Sequence, residues 1–133
     1  MIKKSSFVFA GFLLCLNLVP SFAEDMLDGR TFSGEIGKAG KKTGQADNFI
    51  FQNGQFESTL CSGFGYGKGD YKATLANGRI QFGAQSASAD EGVMTWTGTV
   101  VGDSIEGTVK TIERDKEKKE IVTTESWFKG SKK

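Results

Sequence analysis

Residues 92–110 read GVMTWTGTVVGDSIEGTVK. Met94, Trp96, Gly98 and Val100 recur at every second position, and Thr95, Thr97 and Thr99 fill the gaps. A period of two places the two sets on opposite faces of an extended strand. Gly102-Asp103 interrupts the pattern with residues suited to a tight turn. Ile105, Gly107 and Val109 then alternate with Ser104, Glu106, Thr108 and Lys110. The stretch therefore predicts an antiparallel hairpin with one apolar and one polar face.

The same grammar extends upstream and downstream. YKATLANGRIQFGA at 71–84 places Tyr71, Ala73 and Leu75 on one face, turns at Asn77-Gly78, and continues with Ile80, Phe82 and Ala84. NFIFQNGQFESTLC at 48–61 aligns Phe49 with Phe51, turns at Asn53-Gly54, and aligns Phe56, Ser58 and Leu60. Asn-Gly pairs tolerate the positive φ that a two-residue hairpin requires. Phe32, Gly34 and Ile36 form a first strand. Val122, Thr124, Ser126 and Phe128 share one face of a last strand, and Ile121, Thr123, Glu125 and Trp127 share the other. Residues 37–47 and 62–70 read as polar, glycine-rich loops. Residues 86–92 read as a connection with room for one helical turn, and the charged run at 113–120 as a longer hairpin loop.

Eight strands in meander order have an edge problem. Unpaired N–H and C=O groups at both margins invite association, and closure into a barrel removes them. The expected fold is all-β: an antiparallel eight-stranded up-and-down β-barrel, with a two-sheet β-sandwich as the alternative. Eight strands enclose room for packed side chains or for one small ligand.

Residues 1–23 carry Lys3 and Lys4, an apolar run from Phe7 to Val19, and Ser21-Phe22-Ala23 before Glu24. This is the three-part pattern of a signal peptide. It predicts a single β-barrel domain at 24–133 and a periplasmic or secreted location. Lipidation at Cys15 is the weaker reading, because Leu14 precedes it. The remaining 110 residues carry a net charge of −1, which offers no general attraction for nucleic acid. No further stretch is long and apolar enough for a membrane span. One cysteine, Cys61, remains, so no internal disulfide can form.

At this point the layout resembles the lipocalin and avidin group of up-and-down barrels. The residues that carry the resemblance are DGRTFSG at 28–34, the successive hairpins, and TWTGTVVGDSIEGTV at 95–109. The Gly-x-Trp opening of lipocalins is replaced by Gly29-Arg30-Thr31-Phe32. The resemblance implies the fold and no particular ligand.

Catalytic sets are scarce. The chain has no histidine, so Cys61 has no usual partner base, and a bland half-buried thiol is expected. GFGYGKG at 63–69 lacks the strand–loop–helix setting of a phosphate loop. It reads instead as a loop at the barrel mouth carrying Phe64 and Tyr66. Asp70, Asp90, Glu91 and Glu125 read as rim acids, with a carboxylate hydrolase as a remote alternative. No metal or cofactor pattern is evident.

The expected function is an exported non-enzymatic binding protein holding a small apolar molecule in the barrel. Its ligand-binding residues would be Phe64, Tyr66, Phe82, Trp96, Thr124, Ser126 and Phe128. The alternative is a solid barrel that engages an extracytoplasmic protein through its loops, as an inhibitor or interaction module. A monomer or weak dimer is expected, with Trp127 and Ile121 facing outward.

Overall fold

The computed structural model describes residues 26–133 apart from 90, 91, 116 and 118. The signal-peptide and Cys15 readings, and the rim acids Asp90 and Glu91, lie outside those residues. Eight strands follow in order: β1 (Thr31–Lys38), β2 (Gln45–Gln52), β3 (Gln55–Ser58), β4 (Gly69–Ala76), β5 (Arg79–Ser88), β6 (Gly92–Val101), β7 (Ser104–Arg114) and β8 (Ile121–Lys132). Each pairs antiparallel with the next, and β8 pairs with β1. The barrel is closed, and the sandwich alternative is excluded.

The three tight hairpins fall where the sequence places them. Asn53 and Asn77 have φ of 55° and 54°, and Gly54 and Gly78 follow at 75° and 77°. Two successive positive φ values define a turn whose twist matches that of the flanking strands. Nothing lies within 4 Å of a Cβ built on Gly54, so only backbone strain opposes a side chain there. Gly54→Ala should cost about 1 kcal/mol, read as a lowered urea midpoint with an unchanged m-value.

Several sequence boundaries shift. Leu60 does not extend β3: the chain leaves the sheet after Ser58 and forms one helical turn, α1 (Thr59–Ser62). Ser58 caps it, its Oγ accepting from the Cys61 N–H at 3.2 Å. The connection expected at 86–92 is shorter, because Ser88 pairs with Gly92 and the strands consume most of it. Leu75 has the right phase but is 47 % exposed, and Val122 likewise falls outside the core. In both cases the hairpin projects past the packed interior.

That interior is built from rings. Phe32, Phe49, Phe51, Phe56, Tyr71, Phe82, Trp96 and Phe128 are all buried. Trp96 is 0 % exposed. Its ring centroid lies 4.8 Å from Phe56, 5.2 Å from Phe128 and 6.2 Å from Phe49. Phe51 contacts Tyr71 and Phe82 edge-on, each at 5.0 Å. Such tilted and edge-on pairs are the favoured aromatic geometries. Two glycines make the packing feasible. A Cβ on Gly98 would meet the Phe128 ring at 2.8 Å and the Phe82 ring at 2.7 Å, and one on Gly107 would meet Phe128 at 2.7 Å. Phe128 therefore occupies volume that any larger residue at 98 or 107 would claim.

The end carrying the three hairpin turns is plugged by Leu27, which is fully buried. Asp28 holds this plug in place. Its carboxylate accepts from the Tyr71 hydroxyl at 2.6 Å and from the Gly54 N–H at 3.1 Å. The opposite end carries the β1–β2 loop (39–44), α1 with the segment that follows it, and the β7–β8 loop.

Candidate functional site

The residues expected to bind a ligand separate into three environments. Phe82, Trp96 and Phe128 meet inside the barrel, with Phe82–Phe128 centroids at 6.2 Å. They touch one another and the other core rings. Thr124 and Ser126 are half-buried on β8 toward the loop end. On the glycine loop the two aromatics part: Tyr66 is buried and Phe64 is 66 % exposed. The seven therefore do not line one common cavity.

Inside the loop end lies a polar centre built around Asp47. The residue is in phase with Phe49 and Phe51 on β2, so the pleat turns its carboxylate inward. It is buried, and donors surround it. Ser58 Oγ donates to Oδ2 at 2.5 Å. The Leu60 and Asn48 N–H groups donate to Oδ1 at 3.0 and 2.7 Å. Asp47 thus ties β2 to the start of α1 and satisfies an N–H that a helix start leaves open.

Cys61 lies in α1 rather than at a strand end, and it is buried. Burial pushes its thiol above the ordinary range; the Ser58 hydrogen bond opposes this, and the Asp47 charge adds to the rise. A thiol pushed upward stays protonated and is a poor nucleophile. Native protein should therefore react with a disulfide reagent far more slowly than unfolded chain; rapid stoichiometric reaction of the native thiol would contradict this. The effect on stability has a definite sign. Below about pH 8.5 both states keep the proton and the contribution is complete. Above it the unfolded thiol ionises first, so stability declines as pH rises through the folded value. An equilibrium unfolding series across that range measures the decline.

Asp70 and Glu125 are both exposed, and they sit on β4 and β8, which are not neighbours in the barrel. They do not face each other across a cleft. Among the described residues no group of three or more His, Cys, Asp or Glu side chains is placed to hold a metal ion.

A shallow, open depression of about 540 Å³ lies over the outer faces of β6, β7 and β8, beside the β1–β2 loop. Its floor consists of cross-strand rows. Thr97 pairs with Thr108, which pairs with Trp127; in the next row Thr99 pairs with Glu106, which pairs with Lys129. Lys41 and Lys42 overhang it from the loop. Trp127 is outward-facing, as expected, but half-buried. Its indole lies over Gly37, where a Cβ would come within 2.5 Å of the ring. The indole N–H donates to the Lys41 carbonyl at 2.8 Å. Ile121, also expected to face outward, is 64 % exposed. The lysines and the threonine alternation were visible in the sequence. Their convergence was not, because it depends on the β1–β2 loop folding across β8.

The chain is a closed, eight-stranded, up-and-down antiparallel β-barrel with an aromatic interior. No protein-family model, curated protein or solved structure matches it.

Proposed function

We propose that this protein is an exported, non-enzymatic interaction module in which the barrel is a packed scaffold and recognition takes place on its outside. The observation that carries this reading is the ring cluster. Phe49, Phe51, Phe56, Phe82, Trp96 and Phe128 form one connected cluster of ring contacts and are almost wholly buried. Residues available to grip an internal apolar ligand are already spent on one another. This favours the solid barrel over a barrel holding a small apolar molecule.

Export is supported by the signal pattern at 1–23. No helix among the described residues is long and apolar enough to cross a membrane. The outer row Thr95, Lys110 and Glu125 runs across β6–β8 and is exposed. Lipid-facing strands carry an apolar band at such positions, so this row suits water.

The test is uptake of apolar ligand by native protein. Trp127→Phe leaves Trp96 as the sole indole, so its emission reports the interior. The expected result is a blue-shifted emission that apolar probes and fatty acids leave unchanged. Saturable one-to-one uptake with quenching of Trp96 would overturn the packed-scaffold reading in favour of an internal ligand.

A further inference from the structure

We propose that the outer groove over β6–β8 is a binding site for an acidic oligosaccharide. Its chemistry is one-sided: Lys41, Lys42 and Lys129 converge on it, with Glu106 as the one carboxylate among its lining residues. Between the cations lie the hydroxyls of Thr97, Thr99 and Thr108. Hydroxyls both donate and accept, which matches a ligand whose own surface is hydroxyl-rich. Trp127 lies in the groove with its indole over Gly37 and Lys129 Nζ over its ring, so it fixes a cation at the site rather than presenting a bare stacking face. Cations and hydroxyls on a shallow sheet face suit a sugar chain bearing carboxylates.

The groove is also preorganised. Four hydrogen bonds hold the overhanging loop. The indole N–H reaches the Lys41 carbonyl, and the Lys41 N–H bonds the Lys38 carbonyl at 3.0 Å. The Ala39 N–H bonds the Glu125 carbonyl at 3.0 Å, and the Gly44 N–H bonds Glu35 Oε1 at 3.0 Å. Lys129 Nζ lies 5.4 Å from the indole centroid, within cation–π reach. A loop and a cation fixed before binding lose less entropy on association.

The shape is that of a chain site. A second depression of about 390 Å³ shares Glu106 and Lys129 with the first and continues along β8 to Ser131; it adds one carboxylate, Glu35, whose Oε1 is engaged by the Gly44 N–H. From Trp127 to Ser131 the strand covers about 13 Å, enough for a short run of sugar rings. Both depressions are open and shallow, without a deep pocket to take the side chains of a peptide. A nucleic acid would call for a row of aromatic platforms on which successive bases stack, which this groove does not supply.

The inference rests on the outer surface being the working one. Its test is titration of the purified protein with oligogalacturonate, followed by calorimetry and by indole emission. Trp96 is buried, so a change on binding reports Trp127. Saturable binding is expected, weakened about tenfold by Lys41→Ala with Lys42→Ala and weakened by added salt. Both lysines are exposed, so the double variant should fold. Lys72→Ala, on β4 at the far side of the barrel, should bind as the parent does. The proposal is overturned by absence of saturable binding, by insensitivity to the double variant, or by equal binding of a neutral maltooligosaccharide. Polyglutamate binding as tightly as the uronate would also overturn it, in favour of an acidic peptide. None of these outcomes bears on apolar uptake, so failure here and failure of the packed-scaffold reading remain distinguishable.

Discussion

Trp96→Ala should lower the unfolding free energy by about 4 kcal/mol, the largest loss expected from any single side chain in this barrel. The indole is wholly buried and in ring contact with Phe49, Phe56 and Phe128. Truncation removes its transfer free energy and those contacts together. The backbone there cannot close the gap, since Trp96 pairs with Ala84 on one side and Val109 on the other. It also leaves Ser86 Oγ without the indole N–H that now donates to it at 3.4 Å. Against a typical domain stability of about 5–15 kcal/mol, the variant should be marginal, with Tm lower by roughly 15 °C. An apolar void of this kind stays dry and takes up small aromatic molecules. Indole or benzene should therefore raise the Tm of the variant and leave that of the parent unchanged. A loss under about 1 kcal/mol would mean that the ring layer repacks freely, and would weaken the packed-scaffold reading with it.

Asp47→Ala should be the next most damaging change, at about 3 kcal/mol. Four donors lose the carboxylate at once: the Ser58 and Thr59 hydroxyls and the Leu60 and Asn48 N–H groups. The Asn48 N–H keeps Thr59 Oγ1 at 3.3 Å as an acceptor, so the desolvation cost falls mainly on Ser58 and Leu60. The loss should concentrate in α1, with hydrogen exchange at 59–62 rising well before the strands exchange. Cys61, held within that turn, should then become reactive toward a disulfide reagent while the barrel remains folded. Asp47→Asn keeps one acceptor oxygen for the two N–H groups and should cost less than half as much. Equal effects of Ala and Asn, or an unaltered Cys61 reactivity, would show that Asp47 does not hold α1.

The two sites differ in how far they could be read in advance. Trp96 sits in an unbroken alternation, Met94-Trp96-Gly98-Val100, and that alternation alone assigns it to the interior. Asp47 has the same phase relative to Phe49 and Phe51, and this was the available signal. A lone acid at the start of a strand more often marks a solvated strand end, and only the helical turn at 59–62 supplies donors for it. That turn was itself hidden. Thr59-Leu60-Cys61-Ser62 has no helical period at its length, and Leu60 continues the strand pattern. What ends β3 is Ser58, whose side chain caps the turn while donating to Asp47.

The outer groove was hidden for a different reason. Lys41 and Lys42 lie in a segment whose composition says only that it is a loop. Trp127 is 86 residues away in sequence, and its position is fixed by closure of β8 onto β1. Nothing in either segment names the other.

By itself the sequence determined the strand count, the order, the tight turns at 53–54, 77–78 and 102–103 and most of the inward set; Leu60, Leu75, Val122 and Asp47 are its exceptions. Period-two alternation and Asn-Gly turns are local properties, and local interactions specify them. Tertiary structure decided between closed barrel and sandwich, and decided that the rings fill the interior, that Asp47 accepts from α1, and that Lys41, Lys42 and Lys129 line one depression with Trp127. Each of those depends on residues far apart in the chain being brought to a common distance, and closure of the sheet sets that distance.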